Sequence, residues 1–251
     1  MKLRYLLVFF LLILQAVACQ AVEDSEIWAK ANSDYDSGEF GQAIEGYMSM
    51  LERGLRTPVV YYNLGNSYFK QNQVGMAIAA FHHSLKLDPS FTHARENLEY
   101  VRQFAIDKVE ERPKGFLLNI WYGLAGLLSS EGHFLFSMIT FWGLSSIITL
   151  LILGIGKKEF LTYLLILLII LFILWVTLTY NVVDKEVNTK WGVVTVTSAE
   201  LREGPGEDFE KIFTGHEGLE FKILSQRQEY YLIELKNGLR GWIQSNLLME
   251  I

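Results

Sequence analysis

The sequence predicts a multidomain membrane protein with three parts in order: an all-α helical-repeat region, a two-helix transmembrane hairpin and a small all-β barrel. Three observations carry this. A pattern of small and aromatic residues recurs at an offset of 34 in the first hundred residues. Two apolar stretches without formal charge follow, separated only by Lys157, Lys158 and Glu159. Beyond them the hydrophobic period shortens to two, with glycine-bearing turns between short β-rich runs.

The N-terminal segment reads as an export signal over residues 1–19. Lys2 and Arg4 precede an apolar run from Tyr5 to Leu14, and Ala16 and Ala18 supply a small-residue cleavage pattern. The run is too short to span a bilayer, which takes about 20 residues. Cys19, the single cysteine, stands directly after this pattern. Lipidation at Cys19, ordinary cleavage and an uncleaved anchor all remain open, and each places the following residues outside the cytoplasm. A lipoprotein signal normally has Leu where this chain has Ala16.

Residues 24–104 hold the repeat, in copies spanning 24–57 and 58–91. Ala43-Ile44-x-x-Tyr47 recurs as Ala77-Ile78-x-x-Phe81, and Ala31-Asn32-Ser33-x-Tyr35-x-x-Gly38 as Gly65-Asn66-Ser67-x-Phe69-x-x-Asn72. With Tyr61, Leu64, Tyr68 and Pro89 in the second copy, this resembles the tetratricopeptide repeat. Small residues in such a repeat let paired helices approach, aromatics fill the gaps and the proline stops the second helix. The first copy departs at Lys30, Asp34 and Leu55, where Leu, Tyr and Pro are usual. His93 to Phe104, with Ala94, Leu98 and Val101 as its apolar stripe, reads as a capping helix.

A charged linker is expected over 105–113. Residues 114–130 place Leu117, Trp121, Leu124 and Leu128 on one helical face and Asn119, Gly123, Gly126 and Ser130 on another. That pattern suits a helix lying in the membrane interface or one packed under the repeat. Transmembrane helices are expected at 134–156 and 160–180. Lysines at the turn between them favour a cytoplasmic turn, with Trp175 and Tyr180 toward the outer interface. This topology puts both soluble modules on the periplasmic side of a bacterial cytoplasmic membrane.

The segment 188–251 carries Val194-Thr195-Val196, Leu201-Arg202-x-Gly204-Pro205-Gly206, Tyr231-x-Ile233-x-Leu235 and Gly241-Trp242-Ile243. These residues resemble the bacterial SH3 domain, which implies an all-β SH3-like small barrel. Tyr230 stands where that family often has Trp, and Leu247 where it often has Tyr. Phe209, Tyr231 and Trp242 are the candidates for a ligand groove in this domain, with core packing as the alternative role.

Charge narrows the function classes. Residues 20–113 carry 14 acids against 9 bases and residues 181–251 carry 12 against 8. Two acidic soluble parts are the wrong footprint for nucleic acid. No cysteine or histidine spacing suits a metal, no phosphate-binding loop has its strand and full spacing, and no nucleophile motif is present, so neither an enzyme nor a cofactor is expected. Adjacent His82 and His83 point in different directions on a helix and have a structural or surface role. In tetratricopeptide families the first-helix face lines a peptide groove, which here assigns Asn32, Tyr35 and Asp36 with Tyr62, Asn66, Phe69 and Lys70. The alternative is that these residues only pack against neighbouring helices.

The whole order, from signal through repeats and hairpin to SH3-like domain, resembles the BatE proteins of the Bacteroides aerotolerance operon family. The resemblance implies a non-enzymatic membrane scaffold whose partners are von Willebrand-type A-domain and tetratricopeptide membrane proteins. The alternative is a cell-envelope tether or sensor that binds peptidoglycan peptides through the SH3-like domain.

Overall fold

A computed structural model describes residues 22–110, 115–125 and 130–251. The expected signal at 1–19, with Cys19, lies outside them. The chain divides into two compact units. One combines the segment up to Glu111 with Trp191–Ile251, and the other is Arg112–Lys190.

In the first unit five helices form the repeat: α1 (residues 22–36), α2 (Phe40–Glu52), α3 (Pro58–Lys70), α4 (Val74–Leu87) and α5 (Thr92–Arg102). Local chemistry sets their ends. Thr57 caps α3 by accepting a hydrogen bond from the Val60 amide, with Pro58 in the first turn where its missing N–H costs nothing. Gly38 ends α1 with φ +83°, and the Glu39 amide reaches back to the Asp34 carbonyl at 2.8 Å. Thirty-four residues on, Asn72 ends α3 in the same way at φ 62°, with the Gln73 amide on the Tyr68 carbonyl at 2.9 Å. Asparagine is among the few non-glycine residues that adopt this conformation readily. The repeat is thus exact enough to reproduce a cap with a different residue.

The helical core follows the sequence pattern. Tyr47 and Phe81, at equivalent positions, are fully buried, as are Ala31, Ala43, Ala77 and Ala94. A Cβ on Gly65 would fall 2.8 Å from the Phe81 ring, so glycine is what lets α3 meet α4 there. Ala94, Leu98 and Val101 of α5 are buried, as its apolar stripe requires.

The C-terminal domain is one seven-stranded antiparallel sheet in the order β3-β2-β6-β5-β4-β1-β7. Its strands are β1 (Lys190–Val194), β2 (Ser198–Arg202), β3 (Lys211–His216), β4 (Glu220–Arg227), β5 (Tyr230–Glu234), β6 (Arg240–Gln244) and β7 (Leu248–Glu250), with one 3-10 turn at Ser245–Leu247. The strand order is open, ending at β3 and β7. Side chains from five strands nevertheless meet in one core of Val194, Ala199, Leu201, Leu219, Phe221, Ile223, Ile233, Leu235 and Ile243. A flat sheet cannot gather them, so the sheet curls on itself into the small β domain that the turn spacing predicts.

The two modules of this unit pack together, which the sequence reading did not anticipate. Gly192, Val193 and Val194 are buried in succession, although adjacent strand residues face opposite ways. Val194 enters the β core while Val193 joins the helical core, with Met249 and Ile251 of the C-terminal end beside it. The Glu217 carboxylate accepts from the Gly75 amide at 3.0 Å. It thereby satisfies an orphan donor in the first turn of α4, whose N-cap Gln73 makes no side-chain cap bond. Asp107 accepts from the His216 amide at 2.5 Å and lies 3.0 Å from its Nδ1. Ala105 is buried and Val109 packs on the β core. The expected charged linker is therefore, over its described residues, a strap held against the sheet.

At the centre of this contact Arg102 grips Glu220 with two parallel bonds of 2.6 and 2.7 Å, and His82 Nε2 stands 3.5 Å from the same carboxylate. Burial pushes the Glu220 carboxyl up, but hydrogen bonds from His82 and Arg102 outweigh it and bring its pKa down to about 2. By the 34-residue offset Arg102 stands where the second copy has buried Tyr68. The sheet therefore covers the surface on α4 and α5 that a further repeat helix would otherwise have covered, and a buried ion pair replaces aromatic packing there.

The second unit holds α6 (Phe116–Ala125), α7 (Ser130–Ile152) and α8 (Lys158–Asn188). Gly132–Ile152 and Lys158–Asn181 are long and apolar enough to cross a membrane, with mean hydropathies of 2.0 and 2.9. The boundaries differ from the expected 134–156 and 160–180. Gly154 and Gly156 adopt φ of 66° and 89° and end α7 early, so the turn takes in Leu153 to Lys157. The earlier start of α7 also brings His133 into the helix, where its buried ring lies 5.4 Å from Trp175 of α8. Further along the pair, Phe136 stacks on Trp175 at 5.0 Å and the Ser137 hydroxyl lies 3.3 Å from that of Thr179. Such cross-helix contacts between small polar groups and rings hold helices together where lipid supplies no hydrophobic driving force.

Candidate functional site

The first helices of the repeat, α1, α3 and α5, are joined by a ladder of asparagines. Asn63 Nδ2 donates to Asn32 Oδ1 at 3.2 Å, and Asn97 Nδ2 donates to Asn66 Oδ1 at 2.7 Å. Both pairs are 31 residues apart, and the second pair is the first displaced by one repeat. Tyr47 of α2 adds a hydroxyl bond of 2.7 Å to Asn32. Burial raises the Tyr47 phenol, pKa about 12, so it stays a donor throughout the working range. Phe81 takes the equivalent place in the second copy and has no hydroxyl to offer. The acceptor oxygens of Asn32 and Asn66 are thus engaged inside the stack, and both residues are half-buried on the first-helix face.

Around the ladder the remaining expected groove residues fall on the same helices. Tyr35 is half-buried, its ring edge-on to Phe40 at 5.4 Å. Burial raises its phenol pKa, and the nearby Tyr62 and Asp36 add to this. Tyr62 meets Phe91 at 5.2 Å and Phe81 at 6.0 Å. Asp36 and Lys70 are exposed at equivalent positions, so the face carries opposite charges one repeat apart. Phe69 differs from the others. Its ring is taken up by Tyr100 and Phe104 at 5.7 and 5.1 Å, near the end of α5. The sequence reading missed Asn63 and Asn97, though both stand at the repeat offset from one another.

A second concavity, of about 300 Å³, opens beside α2, α3 and α4. Met48, Leu51, Tyr61, Met76 and Met249 give it an apolar wall, with Arg56 and His83 among its polar members. The His83 ring lies 5.1 Å from Tyr61, and burial holds its pKa below the usual histidine range. His82 faces Glu220 instead, so the two histidines do point apart as their adjacency requires. Among the described residues no cluster of His, Cys, Asp or Glu is arranged to hold a metal.

The three aromatic residues expected to form a β-domain groove are not brought together on one face. Tyr231 pairs with Ile243, and Trp242 pairs with Leu232, in a regular β5–β6 register. Directly paired residues share a face, and Ile243 is fully buried, so Tyr231 leans on the core side and Trp242 on the other. The Tyr231 hydroxyl donates to Glu250 at 2.5 Å. Phe209 is half-exposed and lies over Gly204, where a Cβ would fall 2.4 Å from its ring. On the Trp242 side a polar hollow is lined by Ser198, Glu200, Arg202, Tyr230 and Gln244. Arg202 is fixed there by Glu200 and by the carbonyls of Glu207 and Phe209, each at 2.8 Å.

Comparison with known families finds the tetratricopeptide repeat, matched over residues 58–91, which spans α3 and α4. No curated protein matches the chain.

Proposed function

We propose that this protein is a non-enzymatic membrane scaffold that holds partner proteins on the first-helix face of its repeat. A tetratricopeptide repeat is an interaction module, and the observation that carries the reading is how the β domain caps it. The sheet covers α4 and the end of α5, while on the first-helix face Asp36 and Lys70 stay exposed and Asn32, Tyr35, Tyr62 and Asn66 are only half-buried. The open face offers aromatic surface, two asparagine amides and a charge of each sign, which suits an extended peptide.

The finer reading keeps the resemblance to the BatE proteins of the aerotolerance operon. Partners are then von Willebrand-type A-domain and tetratricopeptide membrane proteins, assembled at the periplasmic face of the cytoplasmic membrane. Two spans return the chain to the side it left, and a repeat packed against the β domain requires that return. The packing therefore supports the same-side topology independently of the lysines at the turn. Peptidoglycan binding by the β domain draws less support, since Tyr231 and Trp242 lie on opposite faces.

The test is co-purification of the full chain from membranes that contain those partners. Asp36→Lys with Lys70→Glu changes exposed charges and should lower partner recovery at least tenfold with unchanged thermal stability. Wild-type recovery from that variant and from Tyr35→Ala removes the repeat face as the binding site. Retention of the full chain on purified peptidoglycan, lost in Trp242→Ala, favours the tether instead.

A further inference from the structure

Three rings at the end of the repeat stack close on one another. Phe69, Tyr100 and Phe104 lie 5.1 to 5.7 Å apart in edge-to-face contact. Edge-to-face rings usually mark a core, yet here Tyr100 is 53% exposed, Phe104 49% and the following Ile106 68%. Lys70 and Lys108 are exposed nearby in sequence to the cluster. An exposed tyrosine beside a phenylalanine and an isoleucine, with lysines close by in sequence, matches the composition favoured at the level of lipid headgroups. The covalent chain adds a constraint. Nine residues separate Ile106 from Phe116, so the ten steps between them reach at most about 35 Å at full extension. Phe116–Ala125 is an apolar helix with Phe116, Leu118 and Ile120 exposed, and the first candidate span begins at Gly132.

We propose that Tyr100, Phe104 and Ile106 form a membrane-docking patch that seats the repeat domain in the headgroup region of the bilayer its own chain crosses. The proposal rests on the reading that α7 and α8 span that bilayer. A lipid surface fits better than a peptide because the patch carries no asparagine ladder of its own and is followed in the chain by an exposed apolar helix and the first candidate span. Docking assigns Phe69 to the base of this patch and leaves the groove to the residues nearer the N-terminus. It also limits which directions the first-helix face can present to a membrane-bound partner.

The test uses the full chain, with Cys19→Ser removing its single cysteine, reconstituted alone in phosphatidylethanolamine–phosphatidylglycerol vesicles. A polarity-sensitive fluorophore is placed at Phe104→Cys, at Phe209→Cys in the β domain, or at Ile148→Cys in the first span. Lipids carrying a nitroxide near the headgroup or deep in the chain serve as quenchers. The proposal expects headgroup-level quenching of at least twofold at position 104, little at 209, and deep quenching at 148. Quenching at 148 without any at 104 overturns the patch and leaves the hairpin standing. No quenching at 148 removes the membrane reading itself and the patch with it. Position 104 unquenched in vesicles but blue-shifted when partner-containing membrane extract is added would make the cluster a protein contact, also against the proposal. Tyr100→Asp should reduce quenching at 104 severalfold, with circular dichroism confirming the fold.

Discussion

Replacing Glu220 by Gln should be the most informative single change in the molecule. The substitution keeps the side chain's shape but removes its charge and turns one of the two acceptor oxygens that Arg102 uses into a donor. In the native chain Glu220 is almost wholly buried and receives two bonds from Arg102. Its pKa falls from the ordinary 4.5 to about 2 because the bonds outweigh the burial. Each pKa unit corresponds to about 1.4 kcal/mol, so the charged form is stabilised on the order of 3 kcal/mol. A depressed carboxylate contributes stability that is fully present above the unfolded value and lost as pH falls through the folded one. The contribution is therefore complete at pH 5 and above and disappears toward pH 2. For a chain of this size about 3 kcal/mol lowers Tm by roughly 6–12 °C. The assay is thermal unfolding of the detergent-purified full chain at pH 7 and at several points below pH 4.5. Glu220→Gln should unfold that much earlier at pH 7, and its loss of stability below pH 4.5 should be shallower than in wild type. A shift under 2 °C at pH 7 would refute the reasoning, since it would mean that the pair does not hold the modules together.

Gly75→Ala should loosen the same contact by sterics alone. A Cβ there would lie 2.2 Å from the Val194 carbonyl oxygen, so β1 must retreat from α4, and limited proteolysis should then cut between the modules sooner. Alanine would otherwise favour the helix, so a more stable variant would show that the close approach is absent. Asn66→Ala should cost about 1 kcal/mol by removing the shorter of the two bonds Asn97 donates, the longer one to the Tyr62 hydroxyl at 3.3 Å remaining, whereas exposed Lys70→Ala should change stability by less than about 0.5 kcal/mol. Chemical denaturation that ranks the two the other way contradicts the ladder.

Much of the architecture was open to sequence reasoning because it depends on short-range patterns. The 34-residue offset gave both repeats, the equivalence of Gly38 with Asn72, and the stripe of α5. Alternation gave the β runs, and charge-free length gave the hairpin helices. Parity within β6 also held information left unused. Trp242 lies between inward Gly241 and Ile243, so it faces away from the side that Tyr231, Ile233 and Leu235 share. The docking of the modules was not legible, because Arg102 and Glu220 are 118 residues apart and nothing local pairs them. One signal did exist in the repeat itself. Arginine at the register place of buried Tyr68 asks for an acid, and a third copy without its second helix asks for a cover.

The proposed topology places the repeat and the β domain together on one side of a membrane and the turn of the hairpin on the other. Single cysteines at Lys70, Asp208 and Lys157, in the Cys19→Ser background, test it by labelling with a membrane-impermeant maleimide. With the periplasm opened and the cytoplasmic membrane intact, Lys70→Cys and Asp208→Cys should label fully, and Lys157→Cys only after detergent. Labelling of positions 70 and 208 from opposite sides, or of all three from the same side, would contradict the account.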